Sequence, residues 1–527
     1  MRKKKQVNRL ISSMLFSLVA MSALSQATSG RPTLIVGITI DQLRSDYIDL
    51  LQSHFGDDGF KRLMRDGVHF ENTVFDITRL DKATTTALIQ TGAYPNVNGI
   101  TAYRTYEEGK RKIAKILNDS KYIGNTTDET LSPMALKVST LSDELKMDNN
   151  GIGHVYAIAP DAQQAILLAG HAADGAFWIN DKTGKWASST FYKEYLPTFT
   201  LRNMNRPILQ RLDTTTWRPA LKIDSYPDIA LHRTFYPFKY TFTGENAVKA
   251  YKNSALVNEE VTSAAIDCIK DMALGKRAAV DMLNIAYSVE PFQYAIDPDS
   301  RIELQDKYIR LDKELGKLFA AIEKQVGKNA CIFVSSTGYF DELYATDPRF
   351  NIPSGEFSSK KATSLLNMYL MAIYGNGSWV NGYFNETIYL NEKLAKEKNI
   401  SIEELRTASG NFLRRMSGVN EAYTFDEILN NPALDDLLRL HRSVASQEAG
   451  DIFLQIAPGW RVIDDFNQQT TPYSAPLVVS APAFIIAPNL IPQKISAPID
   501  ATLLAPTVAR ILRIRSPNAA RRMPLSL

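Results

Sequence analysis

The chain has 527 residues, 45% hydrophobic and 22% charged, which is longer than one simple domain and apolar enough for a sizeable core. A disordered body is therefore excluded, and an elaborated large domain or two domains are expected. Removing residues 1–25 takes five of the 60 basic side chains and leaves 55 against 57 acidic ones, a mature charge near −2, which excludes the basic field that nucleic acid or an anionic membrane surface calls for.

In chain order, residues 1–25 read as a signal peptide. Arg2, Lys3, Lys4 and Lys5 form the positive region, an apolar stretch runs from Leu10 to about Ala20, and Ala23-Leu24-Ser25 offers a cleavage point. Ser12, Ser13 and Ser17 interrupt the stretch, and a membrane anchor needs roughly 20 apolar residues. The expectation is an exported chain, periplasmic or extracellular, with no membrane span after cleavage. No Cys lies near enough for lipid attachment.

The run Leu34-Ile35-Val36-Gly37-Ile38-Thr39-Ile40, opened by Pro32 and closed by Asp41, reads as a strand buried on both faces. In an open α/β sheet the carboxyl ends of strands line the ligand crevice, so Asp41 is a candidate for chemistry. The other use of an Asp here is to cap the next helix. Ala87 to Thr91 is expected to be helical, closed by Gly92 and the Tyr94-Pro95 turn. Residues 101–261, rich in aromatics and prolines, are expected to hold the rest of the first half of the sheet and an inserted cap. A helix over 258–274, a strand over 280–287, a long helix over 301–326 with Leu304, Tyr308, Leu311, Leu315, Leu318 and Ile322 in register, and a parallel strand from Ala330 to Val334 follow as β-α-β units. Residues 357–450 suggest a small α+β lobe, after which Asp451-Ile-Phe-Leu-Gln-Ile is expected to return to the main fold. Cys268 and Cys331 fall in a helical and a strand pattern and suit small core residues; whether they pair stays open.

The blocks Asp41-Gln-Leu-Arg-Ser-Asp46-Tyr47, Phe55-Gly56, Gly59-Phe60-Lys61-Arg62-Leu63 and Gly67-Val68-His69-Phe70-Glu71-Asn72 closely resemble the opening of the alkaline phosphatase superfamily. Within it, the likeness is to secreted bacterial phosphatases related to type I phosphodiesterases and nucleotide pyrophosphatases, and it extends from about Pro32 to the C-terminus. The resemblance implies an α/β fold over residues 31–527: a doubly wound, mostly parallel sheet with helices on both faces, an inserted cap and the small lobe. It also implies a site for two zinc ions, with Asp41 at a ligand position.

Hydrolysis at such a site needs metals that clamp the attacking and leaving oxygens, Asp or His ligands and a hydroxyl nucleophile. The branch carries its nucleophilic Thr nine residues before the Thr-Gly pair that is Thr91-Gly92 here, and that position is Lys82. An ammonium has no hydroxyl and repels a dication. Thr84, Thr85 and Thr86 offer hydroxyls if the spacing has slipped, although Thr at a helix start usually bonds backbone.

The family motif Pro-x-x-His-Gly-Ile with a following Asn becomes Pro95-Asn-Val-Asn98-Gly99-Ile100 with Tyr103. Lys-Asp-Arg-Ala-Ala-Ile, whose Lys and Arg hold the phosphoryl group, becomes Asp161-Ala-Gln163-Gln-Ala-Ile166, which removes the anion clamp. Asp-x-x-Gly-His becomes Glu290-Pro-Phe-Gln293-Tyr294, and Thr-Ala-Asp-His-Gly becomes Ser335-Ser336-Thr337-Gly338-Tyr339. His-Gly-Ser/Thr-Pro-Tyr becomes Gln469-Thr-Thr-Pro472-Tyr473. None of His54, His69, His154, His171, His232 and His441 falls at a ligand position, and His171 suits a hydrogen-bonded structural role.

Asp41 alone is retained in kind, with Glu290 as a possible second ligand. The expectation is therefore that no zinc is kept, no cofactor is used and no residue is catalytic. The chain reads as a pseudoenzyme whose crevice binds or scaffolds an envelope protein or small ligand. The opposing expectation is a working phosphoester or sulfoester hydrolase with Asp41 and Glu290 joined by Asp341 or Glu342; a third is a structural envelope protein with no small-molecule site.

Overall fold

The computed structural model describes residues 30–107, 112–227, 237–297, 299–341, 354–430, 435–444, 450–466, 469–471 and 479–527. The signal-peptide residues 1–25, His232, Glu342 and the pair Pro472-Tyr473 lie outside the described residues.

All eight residues of strand β1 (Leu34–Asp41) are buried, as a two-sided apolar run requires. It is the middle of a ten-stranded sheet. The other strands are β2 (Val68–Phe70), β3 (Gly124–Asn125), β4 (Val155–Ala159), β5 (Gly175–Ile179), β6 (Trp186–Ser189), β7 (Asp281–Ser288) and β8 (Ala330–Ser336). In the lobe lie β9 (Val380–Phe384), β10 (Thr387–Leu390), β11 (Val419–Thr424) and β12 (Ile452–Ile456), and β13 (Ala483–Ile486) and β14 (Gln493–Ile495) complete the main sheet. Its order is β14-β2-β13-β8-β1-β7-β4-β5-β6-β3. The central five strands, β8 to β5 in that order, are parallel, and antiparallel pairs flank them at β8–β13 and β5–β6.

The helices that matter for the site are α1 (Ser45–Leu51), α2 (Lys82–Thr91), α3 (Leu141–Asp148), α4 (Ala162–Ala169), α5 (Leu256–Asp271), α6 (Arg301–Val326), α7 (Ser359–Tyr374), α8 (Ile402–Leu413) and α9 (Leu504–Leu512). All but α7 and α8, which pack in the lobe, cover the two faces of the sheet. Leu34, Val36, Ile38 and Ile40 pack with α1, α5 and α6 on one side, while Ile35 shares the other with α2, α4 and α9. The long helix occupies the expected residues 301–326.

Within 101–261, β4, β5 and β6 belong to the main sheet, while the hairpin of Arg104–Glu107 with Lys112–Lys115 and the pair Thr216–Trp217 with Tyr240–Thr241 stand apart from it. One expectation is corrected. The chain does not return to the main fold at Asp451: β12 pairs with both β10 and β11 inside the lobe's four-stranded sheet. Its alternating apolar residues serve the lobe core with Leu366, Trp379 and Leu405, and a short apolar run does not reveal which sheet it joins.

Cys268 and Cys331 are both buried and unbridged. Among the described residues, no helix is long and apolar enough to cross a membrane.

Candidate functional site

Parallel pairing brings four chain ends together. Asp41, the last residue of β1, is in register with Ser288, the last of β7, so Glu290 follows two residues beyond. Thr337 follows the end of β8. Lys82 opens α2, whose start is fixed by a reciprocal cap: the Asp81 carboxylate accepts from Ala83 N and Thr84 N, and Thr84 answers to the Asp81 backbone.

Asp41 is fully buried. Its Oδ1 accepts a 3.0 Å hydrogen bond from Thr337 Oγ1, which itself accepts from Gln42 N at 2.9 Å. Its Oδ2 faces the Lys82 ammonium at 3.1 Å. The contact is an ion pair. Lys82 Nζ also lies 3.6 Å from Glu290 Oε2. A built-in cation thus sits between the two carboxylates that remain at ligand positions.

The two acids titrate differently. Burial raises the Asp41 carboxyl to about 6, against the pull of Lys82. Burial works the same way on Glu290, but Lys82 and then Lys307 outweigh it and hold that carboxyl below the usual range. One lysine faces Asp41 and two face Glu290, which explains the split. Lys82 is desolvated too, yet Asp41 and Glu290 keep its ammonium far more basic than an ordinary lysine.

The residues that the resemblance aligns with the anion clamp bind one another. Tyr103 Oη donates to Asp161 Oδ2 at 2.6 Å, and Asp161 Oδ1 caps α4 by accepting from Gln164 N. Gln163 Nε2 donates to the Tyr103 carbonyl at 2.8 Å, and its Oε1 accepts from Leu117 N at 3.1 Å. Neither Asp161 nor Gln163 carries a positive charge, and among the described residues the lysines that act on Asp161, Lys82, Lys115 and Lys252, each have another carboxylate partner.

The hydroxyls that a slipped spacing would offer are all engaged by backbone groups. The Thr84 hydroxyl serves the cap, Thr85 donates to Asp81 O at 2.7 Å and Thr86 to Lys82 O at 2.6 Å, and all three are fully buried. Tyr294 lies on the rim, 38% exposed and packed on Phe292. The backbone of Gln469 pairs with Asp464; its side chain lies outside the described residues.

The residues present do not fit a zinc pair. At the position of a ligating His, Gly338 has φ +73°, and a Cβ there would lie 2.0 Å from the Phe75 ring. Thr337 supplies a hydroxyl where an acid is needed, and it is spent on Asp41. Asp341 is held by Gln42 Nε2 at 2.7 Å and by its own N–H to Gln42 Oε1 at 2.8 Å. Among the described residues the one His, Asp and Glu group with ligand-like spacing is His154, Asp174 and Glu194. His154 and Asp174 precede β4 and β5, at the far end of the strands, and both Asp174 oxygens already take Lys146 Nζ at 2.9 Å.

His171 is hydrogen-bonded to Asp143 at 3.0 Å and to the Leu136 carbonyl at 3.0 Å. Sequence reasoning missed Lys307 and Asn253. Lys307 is fully buried and donates to the carbonyls of Asn253 and Glu290 at 2.6 and 2.5 Å, while Asn253 Nδ2 donates to Glu290 Oε1 at 2.8 Å. Burial pulls the Lys307 ammonium down to about 8, against the attraction of Glu290. The signal was available: Lys307 lies on the apolar stripe of α6 between Leu304 and Leu311.

The family model described as type I phosphodiesterase / nucleotide pyrophosphatase matches residues 35–475. The chain is 27% identical over 531 residues to a protein of Myroides odoratus named calcium-transporting ATPase, covering 93% of each. It is 27% identical to the alkaline phosphatase PhoV of Synechococcus elongatus, covering 94% of this chain and 92% of that one. The crystal structure of wild-type alkaline phosphatase PafA superposes with a TM-score of 0.81 at 24% identity, covering 94% of this chain and 98% of that one.

Proposed function

The chain belongs to the type I phosphodiesterase / nucleotide pyrophosphatase family of the alkaline phosphatase superfamily, and from that premise we propose that it no longer hydrolyses phosphoesters. In this reading it is an exported pseudoenzyme, periplasmic or extracellular, whose crevice is used for binding or scaffolding in the cell envelope. The observation that carries the reading is Lys82 at the nucleophile position, its ammonium 3.1 Å from Asp41 and 3.6 Å from Glu290. A fixed cation between those acids repels an incoming dication, and their retained charge repels a phosphate dianion.

The test is metal analysis of the purified mature protein together with hydrolysis of p-nitrophenyl phosphate and its bis-ester, with zinc supplied. Substoichiometric zinc and rates equal to buffer are expected. One or two firmly held ions per chain, with a turnover that a chelator abolishes, would overturn the proposal. That outcome would favour the other reading, an active hydrolase with altered ligands, which the names of PhoV and PafA support.

A further inference from the structure

Where the lobe meets the body, a cleft of about 390 Å³ opens between the Ile77–Arg79 segment and the lobe sheet, lined by Arg79, Glu386, Tyr423, Phe453 and Trp460 among others. Its size is that of a small-molecule site, and such sites favour seams between lobes. The hairpin β9–β10 reaches it through a two-residue turn, since Phe384 pairs with Thr387. Asn385 and Glu386 both have positive φ, 46° and 52°, the type I′ pattern for which Asn-Gly is the favoured pair.

A side chain at the second position carries a steric cost that Gly would not. Glu386 carries a second cost, since burial raises its carboxyl above the ordinary range, with Arg79 only partly opposing. Among the described residues this carboxylate makes no hydrogen bond or ion pair. A group that is strained, half-buried and unbonded among the described residues contributes nothing to the fold by itself; such outliers gather at binding sites.

The rest of the cleft is furnished for a ligand. Arg79 holds the turn with Nη2 on the Asn385 carbonyl at 3.0 Å and on the Thr387 hydroxyl, and its guanidinium lies 5.2 Å over the Phe453 ring. Among the described residues, Nε and Nη1 have no hydrogen-bond partner. The Trp460 ring is seated between Gly418 and Gly355, where a Cβ would come within 2.4 and 2.7 Å of it. Among the described residues, the Tyr423 hydroxyl and the Trp460 indole N–H have no partner. The walls thus offer the acids Glu386 and Asp436, the arginines Arg79 and Arg439, of which Arg439 is already paired with Asp76, spare donors and three aromatic rings.

We propose that this cleft binds a small zwitterion with an aromatic body, of the class of free aromatic amino acids, its ammonium on Glu386 and its carboxylate on Arg79. The inference is independent of the fate of the crevice beside Asp41 and holds whether or not that crevice turns over phosphoesters.

The probe is L-phenylalanine, titrated calorimetrically into the full mature protein. Saturable binding with one site per chain is expected. N-acetyl-L-phenylalanine and L-phenylalaninamide, each lacking one charge, should bind at least about tenfold more weakly, the loss of one charge-assisted hydrogen bond. Glu386→Gly creates the favoured Asn-Gly turn, so it should abolish binding while the melting temperature stays level or rises by about 2 °C. Glu386→Gln keeps the side-chain volume and should lose binding alike. No saturable L-phenylalanine binding, equal binding of the blocked forms, binding retained in Glu386→Gly, or a fall in its melting temperature would each overturn the proposal.

Discussion

Lys82 is the residue on which the site turns. The family resemblance aligns it with a nucleophilic Thr, and it brings a positive charge on a flexible stem to a place where acids converge, where side-chain exposures of 21% for Lys82, 16% for Glu290 and 0% for Asp41 keep that charge largely from solvent. Breaking a buried pair leaves uncompensated charge, which costs more than the pair contributes. Lys82→Met is therefore expected to destabilise the fold by about 3 kcal/mol in denaturant unfolding near neutral pH. The deficit should shrink on acidification. Asp41 titrates at about 6, above its unfolded range, and losing Lys82 raises it further, so the folded variant takes up a proton that the parent protein does not as pH falls from the alkaline side to about 6. A deficit unchanged across that interval would mean that Lys82 acts through packing and not through charge. The resemblance aligned Lys82 with the nucleophile position. It did not disclose that the ammonium reaches two carboxylates far apart in the chain.

At the scale of elements, the crevice is made by strand ends and a helix start. β1, β7 and β8 deliver Asp41, Glu290 and Thr337 because they are parallel neighbours whose C-terminal tips share one edge. α2 delivers Lys82 because its cap fixes where the helix begins. The turn after β8 is where the departure from the family is physically locked: Gly338 is in the left-handed region and its open side is filled by Phe75. Gly338→Ala is expected to cost at least about 2 kcal/mol, combining left-handed strain of about 1–2 kcal/mol with the overlap, measured by thermal unfolding. Adding Phe75→Ala should remove the overlap but leave the strain, so the double variant should fall short of additivity. Full additivity would show that the ring and the turn are not coupled. The strands and α6 were legible because long periodic or continuous apolar runs report their own burial. β12 was misassigned because its five residues look alike whichever sheet receives them.

For the whole molecule, the question is what holds the crevice together. On the proposed reading the ammonium between Asp41 and Glu290 is the native counter-charge, and the folded state needs no external ion. Thermal unfolding should accordingly give the same midpoint in chelator as in excess zinc. A site binding zinc only when folded would add about 2.7 kcal/mol at a hundredfold over its dissociation constant, a shift well outside error. Such a shift, reversed by chelator, would mean that ions and not Lys82 are the native counter-charge.

The sequence by itself determined the family, the buried first strand with Asp41 at its tip, and the residue types that stand where ligands and clamp are expected. These properties are written locally, in apolar periodicity and in short motifs. Only the tertiary structure decided that the replacements answer one another: Lys82 with Asp41 and Glu290, Tyr103 with Asp161 and Gln163, Phe75 against Gly338, and the buried Lys307 beneath Glu290. The reason is that charge compensation and steric exclusion depend on distances between residues remote in the chain, which parallel register and helix placement set and no single stretch encodes.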